Sequence, residues 1–180
     1  MTSATAWVAL LRGVNVGGVT IRNAALAEMF VELGFGDVRT VLASGNVTFS
    51  ASESVNERAV LKSRIEATLR ETFDYDAWIV LVTRDEAAVA ISDFPYDETD
   101  AQRQPWVIFC VDNATRDELV GMSVQMDAAT DPVASGGDVV YWNPAKGRST
   151  DTPFAKLLAK PTFRTRTTNR NLRTMRKVVG

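Results

Sequence analysis

The sequence contains no histidine and a single cysteine among its 180 residues. Without histidine it lacks the commonest general base and the commonest metal ligand, and every catalytic triad that depends on histidine is excluded. One cysteine, Cys110, can form neither an intrachain disulfide nor a zinc site built from cysteines. Cys110 lies in the apolar segment 107–111, which predicts a buried thiol; a reactive nucleophile is the alternative. We therefore expect no metal and no cofactor, and we assign no residue a catalytic role.

Long apolar runs are also lacking. The longest, such as Trp7 to Leu11 and Trp106 to Val111, contain five or six residues, whereas a helix that spans a bilayer needs about 20. The N-terminus has no basic segment, and Arg12 directly follows the first apolar run, which argues against a secretory signal. We expect a cytoplasmic protein that makes no membrane contact.

Charge is unevenly distributed although the net charge is only −2. Residues 1–151 hold 12 basic and 22 acidic residues, about −10, and residues 152–180 hold eight basic residues and no acidic one, +8. The basic tail either folds back on the acidic body, which we prefer, or is reserved for phosphates or nucleic acid. A nucleic-acid partner is therefore not favoured.

The hydrophobic pattern of the first half predicts two helices packed on a sheet. Two S/T-x-x-E strings, at Ser54 and at Thr83, have the form of capping boxes that open helices. The predicted order is β-α-β-β-α-β, which is the split βαβ or ferredoxin-like motif with an antiparallel sheet. Its predicted strands are Trp7–Gly13, Val38–Ala43, Val47–Ser50 and Trp78–Val82, and its helices are Arg22–Leu33 and Ser54 to about Thr72.

The second half repeats this order as far as β-α-β-β-α. Its predicted strands are 105–111, 124–129 and 138–142, its helices are 113–122 and 152–158, and a last helix is predicted over 167–178. The fold class is therefore α+β, with two ferredoxin-like (split βαβ) lobes, antiparallel sheets and a C-terminal helix. The predicted bounds are 1–92 for the first lobe, 93–104 for a polar linker and 105–180 for the second lobe.

Three segments combine glycine or asparagine with arginine or serine: 12–18, 44–47 and 168–174. In a split βαβ unit the first two segments emerge at the same edge of the sheet, and strand one lies beside strand three, so Arg12 should lie near Asn46. Glycine permits close backbone approach and arginine offers a fork of donors, which suits an anion. The hypothetical site for a small anionic or phosphate-bearing ligand consists of Arg12, Asn15, Gly17, Gly18, Ser44, Asn46, Arg170 and Asn171.

Each segment also has a purely structural interpretation. The first lacks the P-loop lysine and the G-x-G-x-x-G pattern, so we prefer a connection shaped by glycine to a phosphate cradle. For the second we prefer a plain hairpin turn to a ligand contact, and Ser44 has no base to activate it as a nucleophile. The acidic cluster in 93–100 does not match a calcium-binding loop, and we interpret it as a solvated linker without a metal.

These segments resemble the family named domain of unknown function 1697 (DUF1697). The resemblance rests on the strings Leu10 to Gly18, Leu33 to Phe35, Val38 to Thr40, Ser44 to Val47 and Arg170 to Met175. It implies a small, mostly bacterial cytoplasmic protein with two ferredoxin-like lobes, in a family whose activity is not established.

The tail departs from the usual string of that family, T-x-R-N-W-N-T, at Leu172 and Arg173. Three hypotheses for function remain open: a non-catalytic binding protein, which we prefer; an enzyme that acts on the same ligand without histidine or cysteine chemistry; and a structural or protein-interaction module. The sequence gives no indication of the oligomeric state.

Overall fold

The computed structural model describes residues 3–15 and 19–180. The chain divides into two compact units, of which unit 1 is Met1–Ala87 with Lys177–Gly180 and unit 2 is Ala88–Arg176. The predicted linker, 93–104, falls within unit 2. The predicted lobe bounds came from composition, and they stay a prediction because the division into units rests on a different criterion.

Unit 1 has the predicted order β-α-β-β-α-β. Its four strands form one antiparallel sheet in the order β2-β3-β1-β4. The elements are β1 (Thr5–Leu11), α1 (Asn23–Glu32), β2 (Gly36–Thr40), β3 (Asn46–Ala51), a 3₁₀ turn (Val55–Glu57), α2 (Arg58–Phe73) and β4 (Ile79–Thr83), after which α3 (Arg84–Ser92) begins.

Local sequence signals account for these elements. In the core of unit 1, Trp7 and Leu11 of β1 are buried together with Ile65 of α2, in keeping with the strand and helix periods. Both capping boxes form: the Ser54 backbone N–H donates to Glu57 Oε2 at 2.8 Å, and the Thr83 N–H donates to Glu86 Oε2 at 2.8 Å. Each box satisfies donors that a helix start leaves open.

Unit 2 has the same topology as unit 1. Its antiparallel sheet has the order β6-β7-β5-β8. The elements are β5 (Trp106–Cys110), α4 (Asn113–Ser123), β6 (Val133–Ser135), β7 (Val139–Trp142), α5 (Pro153–Ala159), α6 (Pro161–Arg164) and β8 (Thr167–Asn171). The last helix, α7 (Leu172–Val179), begins in unit 2, and its residues from Lys177 onward are assigned to unit 1. The predicted fold class, two four-stranded antiparallel sheets and a C-terminal helix, is confirmed.

The predicted strand at 124–129 is wrong. These residues form turns, and the edge strand is Val133–Ser135. Asp127 explains the difference, because its carboxylate accepts hydrogen bonds from the backbone N–H of Ala129 at 3.1 Å and the hydroxyl of Thr130 at 2.7 Å. Such local bonds compete with strand formation.

The predicted helix over 167–178 is wrong in its first five residues. Thr167–Asn171 forms β8, which pairs with β5, and α7 begins only at Leu172. Two β-branched residues open the segment, and pairing with a buried strand decided its conformation. Arg166 and Arg170 therefore lie outside the last helix, whereas Arg173 belongs to it.

None of the helices in the described part of the chain combines the length and the hydropathy that crossing a bilayer requires.

Candidate functional site

The loops that carry three of the predicted site residues, Arg12, Asn15 and Ser44, emerge at one edge of the sheet of unit 1. The Leu11 backbone N–H donates to the carbonyl of Gly45 at 2.8 Å, and the Arg12 N–H donates to the carbonyl of Trp78 at 3.1 Å. Leu10 is the β-ladder partner of Asn46. We call the residues 12–15, 41–45 and 74–78 the loop edge. The topological prediction that Arg12 lies near the hairpin turn agrees with this register.

Three asparagine side chains hold the hairpin turn by three consecutive carbonyl groups. The side-chain amide of Asn46 donates to the Val41 carbonyl at 2.9 Å, that of Asn23 to the Leu42 carbonyl at 3.0 Å, and that of Asn15 to the Ala43 carbonyl at 2.6 Å. We call these three hydrogen bonds, together with the three asparagines and the three carbonyl residues that they join, the asparagine clamp. Turn carbonyls lie outside the β-ladder and need such partners. The clamp fixes the loop edge.

Asn15 connects the two loops. Its backbone has φ of 60°, a left-handed conformation that asparagine tolerates better than most residues. Besides its bond to Ala43, its side-chain oxygen accepts from the backbone N–H of Ile21 at 3.1 Å. The side chain is exposed and belongs to the loop edge.

Asn46 has a structural role. Its side chain is 1% exposed, and its amide nitrogen donates both to Val41 and to the hydroxyl of Ser44 at 2.7 Å. This geometry is that of a hairpin turn, the alternative interpretation of the segment. Ser44 itself is exposed at the loop edge. Contact of either side chain with a ligand stays a prediction.

Arg12 shares an aromatic partner with a lysine. Its guanidinium carbon lies 5.9 Å from the ring centroid of Trp78, and the Lys62 ammonium lies 5.4 Å from the same centroid. Lys62 also pairs with Glu66 at 3.5 Å, one turn along α2, and Glu66 accepts from the Ile79 backbone N–H at 3.0 Å. Each cation–π contact contributes about 0.5–1 kcal/mol at an exposed position.

Sequence reasoning missed Lys62 and Trp78 as neighbours of Arg12. The position of Trp78 just before β4 offered one signal, because β4 starts at the edge where β1 ends. Lys62 offered none, since α2 brings it there from a distant part of the sequence. Gly17 and Gly18, two of the predicted site residues, lie outside the described residues.

Arg170 and Asn171, the two remaining predicted residues, belong to unit 2. Arg170 lies on β8 opposite Val107 and is 7% exposed. Its guanidinium donates to the hydroxyl of Thr168 at 2.7 Å and to the carbonyl of Asn169 at 2.9 Å. Burial lowers the pKa of Arg170 to about 10. These two bonds join the guanidinium to neighbours on its own strand.

Asn171 caps α7, since its side-chain oxygen accepts from the Arg173 backbone N–H at 2.9 Å. An N-terminal cap of this kind stabilises a helix by about 1 kcal/mol. The membership of Arg170 and Asn171 in one site with Arg12 stays a prediction.

Two arginines of the basic tail pair with acidic residues of unit 2. Arg166 binds Glu118, and Arg176 binds Glu98, each at 2.5 Å. Both pairs are exposed, so each contributes little to stability. They agree with the first interpretation of the tail, in which it folds back on acidic residues.

Two further observations concern the chemistry that the side chains could perform. Among the described residues, no three histidine, cysteine or carboxylate side chains cluster in a way that could hold a metal ion. Cys110 is buried, and burial raises the pKa of its thiol to about 12.

We expect the folded protein to resist a thiol-specific disulfide reagent at pH 8, because a thiol of this pKa is only about 0.01% thiolate there. In urea, Cys110 should react completely. Raising the pH from 8 to 9 should accelerate the reaction of the folded protein about tenfold, since its thiolate fraction is still far from saturation. Complete reaction of the folded protein at the rate of the unfolded chain would contradict the burial of this thiol.

The fold and the loop edge together define the class of protein: a tandem of two split βαβ units, the first of which carries a polar edge beside a hairpin held by asparagines. The chain belongs to the family described as Protein of unknown function (DUF1697), whose model matches residues 4–141. The resemblance found in the sequence is thereby confirmed, and the matched range includes the whole loop edge.

A search of the curated proteins found no match. Among solved structures, the chain is similar to the conserved bacterial protein SP0830 from Streptococcus pneumoniae, with a TM-score of 0.80 and 22% sequence identity over 98% of this chain and 97% of that chain. This likeness shows the fold.

Proposed function

We propose that the chain is a non-catalytic binding protein for a small anionic or phosphate-bearing ligand, which binds at the loop edge of unit 1. The observation that carries the proposal is the pair of cations, Arg12 and Lys62, at 5.9 Å and 5.4 Å from the same Trp78 ring. Two positive charges held by one half-buried ring present fixed donors to an anion.

The charges near this edge are balanced, since Arg12, Lys62 and Arg70 stand beside Glu66, Asp74 and Asp76. Lys62 pairs with Glu66, and Arg70 of α2 pairs with Asp76 of the loop edge at 3.7 Å. The proposal therefore depends on the two cations at the Trp78 ring and on the backbone, because the asparagine clamp fixes the turn next to Arg12.

Binding is preferred over catalysis because histidine is absent from the sequence and the Cys110 thiol stays protonated. An enzyme acting on the same ligand would need a carboxylate as base, and a turnover screen on phosphoesters distinguishes it. A bacterial, cytoplasmic setting is part of the proposal and follows from the family resemblance.

Isothermal titration calorimetry with inorganic phosphate, nucleotides and short oligonucleotides tests the proposal. We expect phosphate-bearing ligands to bind, and Arg12→Ala to weaken that binding roughly 10- to 100-fold, because a charge-assisted hydrogen bond contributes about 1.5–3 kcal/mol. Arg64→Ala is the matched control. Arg64, on α2, also stacks on a ring, 5.1 Å from Phe35, but its guanidinium donates to the carbonyl of Leu33 at the end of α1.

The control variant should bind like the parent protein. If none of the ligands binds, and Arg12→Ala behaves like the parent, the proposal is wrong. Tighter binding of oligonucleotides than of mononucleotides, with a steep salt dependence, would instead favour nucleic acid as the partner.

A second candidate, a structural or protein-interaction module, is supported by the asparagine clamp. In that case Asn15→Ala would lower the melting temperature of unit 1, while phosphate binding would be absent from both parent and variant.

A further inference from the structure

The strand β4 lies at an edge of the unit 1 sheet, and its sequence favours pairing with a further strand. Within the described part of the chain it pairs with β1 alone. Its residues, I-V-L-V-T, include four that are β-branched and none that is charged, proline or glycine. Short segments of this composition at an open sheet edge are templates for strand addition. The outer side of β4 therefore needs protection.

The ladder between β1 and β4 shows which backbone groups of β4 point outward. The Arg12 N–H donates to the Trp78 carbonyl at 3.1 Å, so position 78 directs its backbone toward β1. In an antiparallel ladder this direction alternates from one residue to the next. Ile79, Leu81 and Thr83 therefore turn their N–H and C=O groups away from the sheet.

A side chain of α2 or α3 is hydrogen-bonded to the backbone at each of these three outward positions. The bonds join Glu66 to the Ile79 N–H at 3.0 Å, Arg58 to the Leu81 carbonyl at 3.4 Å and Glu86 to the Thr83 N–H at 2.8 Å. We call Arg58, Glu66 and Glu86 the edge latch. Each of its bonds occupies a backbone group with which an added strand would have to pair.

The side chains of the edge latch are held in place by further contacts. The Arg58 guanidinium forms an ion pair with Glu86 at 2.6 Å and lies 5.4 Å from the ring centroid of Trp7. Glu66 pairs with Lys62 at 3.5 Å, and its side chain is only 12% exposed. Ion pairs near a surface contribute little to stability. Their consequence here is positional, because they keep the three side chains on the edge of β4.

We infer that the edge latch prevents β4 from pairing with β4 of a second copy of this chain. Two such strands can pair antiparallel about Leu81, with Ile79 of each copy opposite Thr83 of the other. No charges meet in this arrangement, and β-branched side chains form favourable cross-strand pairs. The opened edge is thus an interaction surface for a second copy. This property goes beyond ligand binding and does not depend on it.

Sedimentation velocity over a range of protein concentrations tests the inference. In the double variant Arg58→Ala, Glu66→Ala, the average mass should rise toward twice that of the parent at concentrations where the mass of the parent stays constant. Each single variant should show a smaller rise. Glu66→Gln should behave like the parent, because its amide oxygen still accepts from the Ile79 N–H. Association of Glu66→Gln to the same extent as Glu66→Ala would contradict the role of this hydrogen bond.

Arg64→Ala is the matched control for Arg58→Ala. Like Arg58, Arg64 belongs to α2 and makes a bond to a carbonyl, an ion pair and a contact with an aromatic ring, but its partners are Leu33, Glu53 and Phe35. Its loss leaves the edge of β4 closed, so the mass should not change. If Arg64→Ala associates as strongly as Arg58→Ala, loss of stability and not an open edge is the cause, and the inference is wrong.

Amide hydrogen exchange shows where two copies meet. In the double variant, the N–H groups of Ile79 and Leu81 should exchange more slowly as the concentration rises, because an added strand bonds them. Association without slower exchange in β4 would overturn the inference, as would a double variant with the mass of the parent at every concentration. Near-UV circular dichroism checks that each variant is folded. If the double variant does not fold, Arg58→Ala compared with Arg64→Ala decides.

Discussion

Replacing Gly45 with alanine should lower the free energy of unfolding by about 2–4 kcal/mol, from left-handed strain of roughly 1–2 kcal/mol and a packing conflict of similar size. Gly45 has φ of 70°. A Cβ added there would lie 2.9 Å from the Cβ of Leu11, an atom fixed to the backbone of β1 that cannot rotate away. The alanine variant must therefore shift the turn, the strand or both.

Gly13→Ala is the control for this prediction, and urea unfolding followed by tryptophan fluorescence is the measurement. Gly13 has nearly the same φ, 69°, but an added Cβ would meet no described atom within 4 Å. Gly13→Ala should cost only the strain, about 1–2 kcal/mol. Equal losses of unfolding free energy for Gly45→Ala and Gly13→Ala would contradict the predicted conflict between the added Cβ and Leu11.

Asp131→Ala should lower the free energy of unfolding of unit 2 by about 2–4 kcal/mol, because two buried donors lose their acceptor at about 1–3 kcal/mol each. Asp131 is 2% exposed. One oxygen accepts from the Trp142 indole N–H at 2.9 Å, and the other accepts from the Phe154 backbone N–H at 3.0 Å. The carboxylate thus ties β7 to the first turn of α5.

Two variants control for this effect in the same urea experiment. Asp131→Asn keeps the shape and one acceptor, so its loss should be about half as large. Asp127→Ala, at an exposed turn residue of the same loop, should cost about 1 kcal/mol or less. A loss below 1 kcal/mol for Asp131→Ala would mean that water replaces the carboxylate at both donors.

The fold could be predicted from the sequence wherever the signal was local. The capping boxes at Ser54 and Thr83 require only neighbouring residues, and both boxes form as expected. β8 could not be predicted in this way. Its sequence from Thr167 to Asn171 has no apolar alternation, and only pairing with β5 makes it a strand.

The site was predictable only in part, for a related reason. Topology sufficed to place Arg12 beside the hairpin turn, because strand order in a split βαβ unit is fixed. The contacts of Arg12 with Trp78 and Lys62 come from separate elements and leave no local pattern. The left-handed conformation of Leu42, with φ of 59°, was hidden because leucine is not a turn residue.

Diffraction from crystals soaked in selenate, a phosphate-like anion whose selenium scatters anomalously, tests the central claim most directly. An anion site at the loop edge predicts an anomalous peak within hydrogen-bonding distance of the Arg12 guanidinium that disappears in Arg12→Ala. Peaks at other surfaces alone, or a peak at the loop edge that persists without Arg12, would contradict it.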